Sequence, residues 1–196
     1  MNQTITPPGI TPPGNTAQAI TLRAAQLSDL PQIQEIYAHH VATGLASFEE
    51  SPPDLAEMTR RFETLMAAGY PYLVAEVNGP EADSRVEGYA YAGAYRARPA
   101  YRFSVENSIY VRADGTRRGL GKRLLEALID ECAKRGYRQM VAVIGDSANH
   151  ASIGVHAACG FEMIGTLPSI GFKFGRWVDS VLMQRPIGPG DSTSPV

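Results

Sequence analysis

The sequence predicts an α/β domain with a mixed sheet and helices on both faces, in the order β-α-α-β-β-β-α-β-α-β-β. Three observations carry this. Short apolar runs of strand character alternate with longer stretches whose apolar residues recur at helical spacing. Capping residues precede those stretches and glycines follow them. One run, Met140-Val141-Ala142-Val143-Ile144, is apolar without alternation, as a strand covered on both faces must be.

Residues 20–23 read as a short first strand. Ser28 and Asp29 then precede Leu30 and Pro31, a cap followed by an early proline, and Ile33, Ile36, Tyr37 and Val41 share one helical face. Pro52, Pro53 and Asp54 open a second helix bearing Leu55, Met58, Phe62, Leu65 and Met66, which stops at Gly69. Residues 72–77 form a strand, 78–85 a polar hairpin-length loop, and 86–94 and 103–111 two longer strands. Leu120, Leu124, Leu125, Leu128 and Cys132 line one face of a strong helix that ends at Gly136. After the apolar strand, a shorter helix runs from Asn149 to a stop at Gly160, and residues 161–165 and 177–184 close the sheet.

A chain of 196 residues with 44% apolar content supports one domain with a real core. Its net charge of −2 gives no global attraction to nucleic acid or to an anionic membrane. Cys132 and Cys159 are too few for a disulfide scaffold and lack metal-ligand spacing, so no metal site is expected. No run approaches the ~18 apolar residues of a membrane span. With no basic residue before Arg23, a secretory signal is not expected either, and the default is a cytoplasmic protein. Residues 1–19 carry a tandem pentapeptide, Ile5-Thr6-Pro7-Pro8-Gly9 and Ile10-Thr11-Pro12-Pro13-Gly14, and read as a flexible arm. Residues 187–196 read as a flexible polar tail, which leaves 20–186 as the working domain.

The most informative segment ends a strand, turns through Gly115-Thr116-Arg117-Arg118-Gly119 and starts a helix at Leu120-Gly121-Lys122. Glycines at 119 and 121 let backbone N–H groups approach an anion at the positive end of the helix dipole. The first turn holds Lys122 and Arg123 and no acid before Glu126, so an anionic ligand is expected to supply the negative charge. Five basic residues stand against Asp114 between Arg112 and Arg123. A Walker A loop fails here, because Thr116 replaces its first glycine and Arg123 its Ser/Thr. A dinucleotide fingerprint fails at Leu124.

Gly119-x-Gly121 between strand and amphipathic helix resembles the acetyl-CoA pyrophosphate loop of the GNAT N-acetyltransferases, with Thr116 where that motif has Gln or Arg. Asn149, Ser152, His156, Gly160 and Phe161 resemble the family's second CoA-contacting helix, with His156 where Tyr is usual. Further strings cover residues 70–183: Tyr72-Leu73-Val74-Ala75-Glu76, Gly88-Tyr89-Ala90-Tyr91-Ala92-Gly93, Arg96-Ala97-Arg98, Val105-Glu106, Ala142-Val143-Ile144-Gly145 and Gly171-Phe172-Lys173-Phe174-Gly175-Arg176-Trp177. Together they are similar to the phosphinothricin and methionine sulfone/sulfoximine branch of that family.

The resemblance implies a GNAT-like, mostly antiparallel sheet and acetyl-CoA as cofactor. It implies contacts to the cofactor from Ile109, Tyr110, Val111, Thr116, Arg117, Arg118, Gly119, Leu120, Gly121, Lys122 and Asn149. Asn149 reads equally as a helix cap. Acetylating an amine requires a base, because a free α-amine is mostly protonated near neutrality. The family reading assigns that role to Glu106, which by itself could be an ordinary strand glutamate. His156 takes the place of the family's acid, although a lone helix histidine is equally well structural. Arg96 and Arg98 suit capture of carboxylate, phosphinate or sulfone oxygens, Arg98 reading equally as a surface arginine. By resemblance Tyr95, Arg96, Ser104, Val105 and Glu106 line the acceptor pocket. His39 and His40 read as structural or surface residues.

The implied activity is direct acetyl transfer to the α-amine of phosphinothricin, methionine sulfoximine or methionine sulfone, a detoxifying reaction. Neither cysteine has a paired base that would make it an acyl carrier. Another amine acceptor (a polyamine, an aminoglycoside or a protein N-terminus) and a non-catalytic acyl-CoA-binding module stay open. By analogy the protein is a homodimer joined through the 171–177 hairpin.

Overall fold

A computed structural model of the chain describes residues 20–78, 84–114 and 119–195. The arm at 1–19 and three of the expected cofactor contacts, Thr116, Arg117 and Arg118, lie outside the described residues. Among the described residues seven strands are present: β1 (Ile20–Ala24), β2 (Tyr72–Asn78), β3 (Ser84–Ala94), β4 (Ser104–Val111), β5 (Gln139–Gly145), β6 (Glu162–Lys173) and β7 (Arg176–Pro186). The helices among the described residues are α1 (Leu30–Thr43), α2 (Leu55–Ala67), α3 (Leu120–Lys134) and α4 (His150–Ala158). The strands form one sheet in the order β1-β2-β3-β4-β5-β7-β6. Only the β4–β5 pairing is parallel among the described residues, so the sheet is mixed and mostly antiparallel, as the sequence predicts. No helix among those residues is long and apolar enough to cross a membrane.

Alternation along the strands divides two cores. Tyr72, Val74 and Tyr89 pack on one face with Ile33, Tyr37 and Val41 of α1 and Met58 and Phe62 of α2. Leu73, Ala75, Ala90 and Ala92 face the other way, under Leu120, Leu124, Leu125, Leu128 and Cys132 of α3. Cover on both faces explains why these strands read as continuous apolar runs.

Asp54 caps α2 as expected, its Oδ1 accepting from the Glu57 N–H at 2.8 Å. Asp29 does not cap α1 with its side chain. Its carboxylate instead takes both terminal nitrogens of Arg23, at 2.7 and 2.8 Å, and the Gln26 N–H. Arg23 also reaches Glu76, so the buried acid is held by a charge-assisted network rather than left alone.

Two expectations need correction. The strand placed at 161–165 is β6, Glu162–Lys173. Register shifts against β7 at Met163/Gly165 and Leu167/Gly171 break its alternation and hide it in the sequence. The chain after 186 is not free of the domain: Ile187 is 2% exposed in the α3-side core, and its N–H donates to the Arg138 carbonyl at 2.9 Å.

Candidate active site

β4 and β5 are paired only where Ser104, Val105 and Glu106 face Gln139, Met140 and Val141, and then part. Which backbone groups turn into the gap follows from the β3–β4 ladder. Tyr95 N–H donates to the Ser104 carbonyl and Arg112 N–H to that of Glu87, so the even-numbered residues of β4 exchange their bonds with β3. The N–H and C=O groups of Asn107, Ile109 and Val111 therefore point the other way, toward β5. Tyr110, expected among the cofactor contacts, has its backbone committed to β3, and its ring meets Tyr37 edge-on at 5.0 Å.

His40, read from the sequence as structural or surface, has a definite task. It is half-buried, and its Nε2–H donates to the Val111 carbonyl at 2.8 Å. That leaves the Val111 N–H and both backbone groups of Ile109 facing the gap. His39 is exposed and bonds only within its own helix, to Thr43.

A cavity of about 300 Å³ opens where the strands part. Glu106, Ile109, Tyr110, Asn149 and His156 line it, so residues distant in sequence and expected at the site meet around one volume. Tyr37, Ser47, Phe48, Tyr91, Asn107 and Ser108 also line it, and the sequence marks none of these as a site residue. The 44–48 loop closes the cavity because Gly145 permits it: a Cβ there would overlap the Leu45 carbonyl oxygen. Lys173 anchors the same loop. It is 2% exposed, and its ammonium donates to the carbonyls of Val41, Gly44 and Ser47 at 2.8, 2.9 and 2.8 Å. Two of these carbonyls, Val41 and Gly44, are at the end of α1 and suit a buried cation, because the helix dipole is negative there. The sequence signal for Lys173 is a lone lysine inside an apolar hairpin.

Glu106 is half-buried, and burial pushes its carboxyl above the ordinary glutamate range, with the positive charge of Arg96 opposing. Arg96 is exposed and lies 5.1 Å over the Tyr95 ring. Arg98 is exposed too, on the loop leading to a 3-10 turn at Pro99–Tyr101. Tyr95, Arg96, Arg98 and Ser104 border the Glu106 end of β4 without lining the cavity. Val105 is a correction: at 0% exposure its side chain belongs to the core beneath α3 and cannot touch an acceptor.

At the far end of the gap, Gly119 stands before α3 with φ +87°, a conformation that only glycine adopts cheaply, and offers no side-chain cap. The N–H groups of the first turn, at Leu120, Gly121 and Lys122, are left for a ligand. The Leu120 side chain is buried in the core, so only its backbone is available. Lys122 is exposed beside Glu126 at 3.6 Å. The cluster of basic charge is thinner than a count along the chain implies. The Arg112 guanidinium turns away to Glu35 at 2.7 Å and the Val86 carbonyl at 2.8 Å, and Arg123 donates to the Ile20 carbonyl.

On α4, Asn149 is an N-cap, its Oδ1 accepting from Ser152 N–H at 3.1 Å, and it lines the cavity as well. His156 is 5% exposed, with Nδ1 2.8 Å from the Ser152 carbonyl and Nε2 3.0 Å from Asn107 Oδ1. Burial lowers the pKa of this ring, and the Ser152 bond opposes that.

A gap edged by strand amides and ending at an uncapped helix N-terminus fits a long ligand that carries amides at one end and phosphate at the other. A family model described as an acetyltransferase (GNAT) domain matches residues 22–182. The chain belongs to the GNAT acetyltransferase family. This acetyltransferase is 54% identical to the phosphinothricin N-acetyltransferase of Alcaligenes faecalis, over 90% of the chain and 87% of the relative. It is 43% identical to the L-methionine sulfoximine/L-methionine sulfone acetyltransferase of Pseudomonas aeruginosa, over 86% of the chain and 95% of the relative. Its fold matches the crystal structure of a GNAT superfamily phosphinothricin acetyltransferase from Sinorhizobium meliloti in complex with acetyl-CoA. The TM-score is 0.84 and the identity 47%, with 90% of this chain and 93% of that one covered. The protein is an acetyl-CoA-dependent N-acetyltransferase.

Proposed function

We propose that the protein acetylates the α-amine of a small amino-acid analogue, with phosphinothricin, methionine sulfoximine and methionine sulfone as the leading acceptors. The names of its relatives support this acceptor class. The single observation that carries the chemistry is Glu106, a half-buried carboxylate with a raised pKa beside a cavity at the point where β4 and β5 part.

Acetyl-CoA supplies the acetyl group as a thioester. The Ile109 and Val111 backbone groups hold the pantetheine arm as a strand would, and the amides of Gly119, Leu120, Gly121 and Lys122 receive the pyrophosphate. Arg96 binds the acceptor's anionic group and Arg98 assists. Glu106 takes the proton that the ammonium must lose before it can attack, and a raised pKa suits a base working near neutrality. An inward N–H of β4 stabilises the charge that develops on the carbonyl oxygen. His156 returns a proton to the leaving sulfur.

The protein acts as a homodimer in the cytoplasm, detoxifying its acceptors. The β6–β7 hairpin leaves Ile164, Ile170, Phe172, Phe174 and Trp177 exposed, an apolar surface suited to a second copy. The decisive experiment follows CoA thiol release with a panel of amines. Highest kcat/KM is expected with phosphinothricin or the two methionine derivatives, and a preference for polyamines, aminoglycosides or peptide N-termini overturns the reading.

A further inference from the structure

We propose that Asn107 is a positioning residue that keeps a second proton on His156 and so holds its imidazole in the acid form. The inference rests on reading His156 as the proton donor.

The bonding around the ring leads there. Nδ1 lies 2.8 Å from the Ser152 carbonyl, which can only accept, so Nδ1 carries a hydrogen. Nε2 lies 3.0 Å from Asn107 Oδ1. The orientation of that amide is fixed from its other side, where Nδ2 donates to the Val141 carbonyl at 3.2 Å. Turning it over would set two carbonyl oxygens against each other. His156 is therefore held between two acceptors. A neutral ring would leave the Nε2 lone pair facing Oδ1, and only the doubly protonated ring satisfies both contacts.

The position of Asn107 explains why this residue can do it. The β4–β5 ladder ends with Glu106 against Val141, and Asn107 is the next residue. Its side-chain amide takes the Val141 carbonyl where the strands begin to part, which turns Oδ1 toward α4.

Burial lowers the pKa of the ring even against the Ser152 bond, so the Asn107 acceptor is what must offset it. The ionisable groups lining the cavity with His156 are Glu106 and Tyr110 from β4, Tyr91 from β3 and Tyr37 from α1. β5 and β7 present Ala142, Val143, Ile144, Gly145 and Ser180 to the cavity, the Arg185 guanidinium of β7 donates to the Cys159 carbonyl at the end of α4, and Phe161 sets its ring edge-on at 5.1 Å. Cys159, at the end of α4, bonds the Lys122 carbonyl, and the Lys122 ammonium lies beside Glu126. When His156 gives its Nε2 proton to the leaving sulfur, Nδ1–H stays on Ser152 and the neutral ring is recharged from solvent. The ammonium gives one proton to Glu106 before attack and sheds a second to solvent as the amide forms, so one proton is released net and no other reactant is needed.

The test is an NMR titration of the four histidines in the full chain, with His156 assigned from its loss in His156→Gln. Asn107→Asp should raise the His156 midpoint and Asn107→Leu lower it, each by about one pH unit. Asn107→Ser, too short to bridge both partners, replaces the leucine variant if that fails to fold. Midpoints that stay at the wild-type value in the aspartate and apolar variants overturn the inference. The basic limb of kcat against pH should move with the midpoint. A midpoint that moves while this limb stays upholds Asn107 as the residue that sets the proton and overturns His156 as the donor.

Discussion

The ammonium of Lys173, near the end of β6, donates to the backbone carbonyl of Ser47 at 2.8 Å, joining an apolar hairpin to the wall of the active-site cavity. Two further carbonyls, those of Val41 and Gly44, complete its bonding. Replacing it strips all three acceptors at once, two of them in buried bonds. We expect Lys173→Met to lose about 1–3 kcal/mol of stability, the cost of leaving such groups unpaired. The acceptor KM should rise while acetyl-CoA affinity holds, because Ser47 and Phe48 line the cavity with Glu106 and the first-turn amides of α3 are not part of that lining. Thermal unfolding and separate KM measurements check both halves.

Glu106→Gln should lower kcat by about 100-fold or more, as loss of a general base does. Acetyl-CoA affinity, read by calorimetry, should be unchanged. The variant should also unfold at a higher temperature than wild type above neutrality. Burial raises the Glu106 pKa in the folded state, so the folded chain binds the proton more tightly than the unfolded one. The stability contributed is present below the unfolded pKa and is lost as pH rises through the raised folded value. Glutamine avoids that loss. Near-normal turnover in this variant would remove Glu106 from the mechanism.

Arg96→Ala carries two separable effects. The KM for the amino-acid acceptor should increase, through loss of a guanidinium partner for its anionic group. The positive charge of Arg96 also restrains the upward shift at Glu106, so its removal should move the acidic limb of the kcat profile to higher pH. An unchanged KM would argue against acceptor binding even if the limb moves.

The hairpin's exposed aromatics give a prediction about assembly. Phe172 and Trp177 pack edge-to-face at 5.3 Å, and the Trp177 side chain is among the most exposed apolar groups of the described chain. Changing both to serine should weaken self-association in sedimentation experiments and leave the helical circular dichroism signal intact. Unaltered sedimentation would place the interface elsewhere.

Most of the fold could be read from periodicity, because each helix buries one face and each inner strand two. β6 could not, since its bulges against β7 interrupt the alternation and Gly165, Pro168 and Gly171 resemble loop residues. Ile187 was hidden by polar neighbours that follow it. At the site, Glu106 and His156, which line the cavity, were legible only through the family resemblance, since a strand glutamate and a lone helix histidine are ordinary in themselves. Those acting across long separations were not. Arg112 counts toward the basic charge of the loop until Glu35, 77 residues away, claims its guanidinium. Asn107 and Lys173 are uninformative alone, and their tasks exist only once Val141, His156 and the end of α1 are brought beside them.

β4 and β5 share three residue pairs and then part, with the amides of Ile109 and Val111 turned into the opening. A fold built in this way is finished by its own donor. Occupancy at 100 times the dissociation constant adds about 2.7 kcal/mol to stability. The enzyme's survival against unfolding and proteolysis should therefore follow the cell's supply of activated acetate.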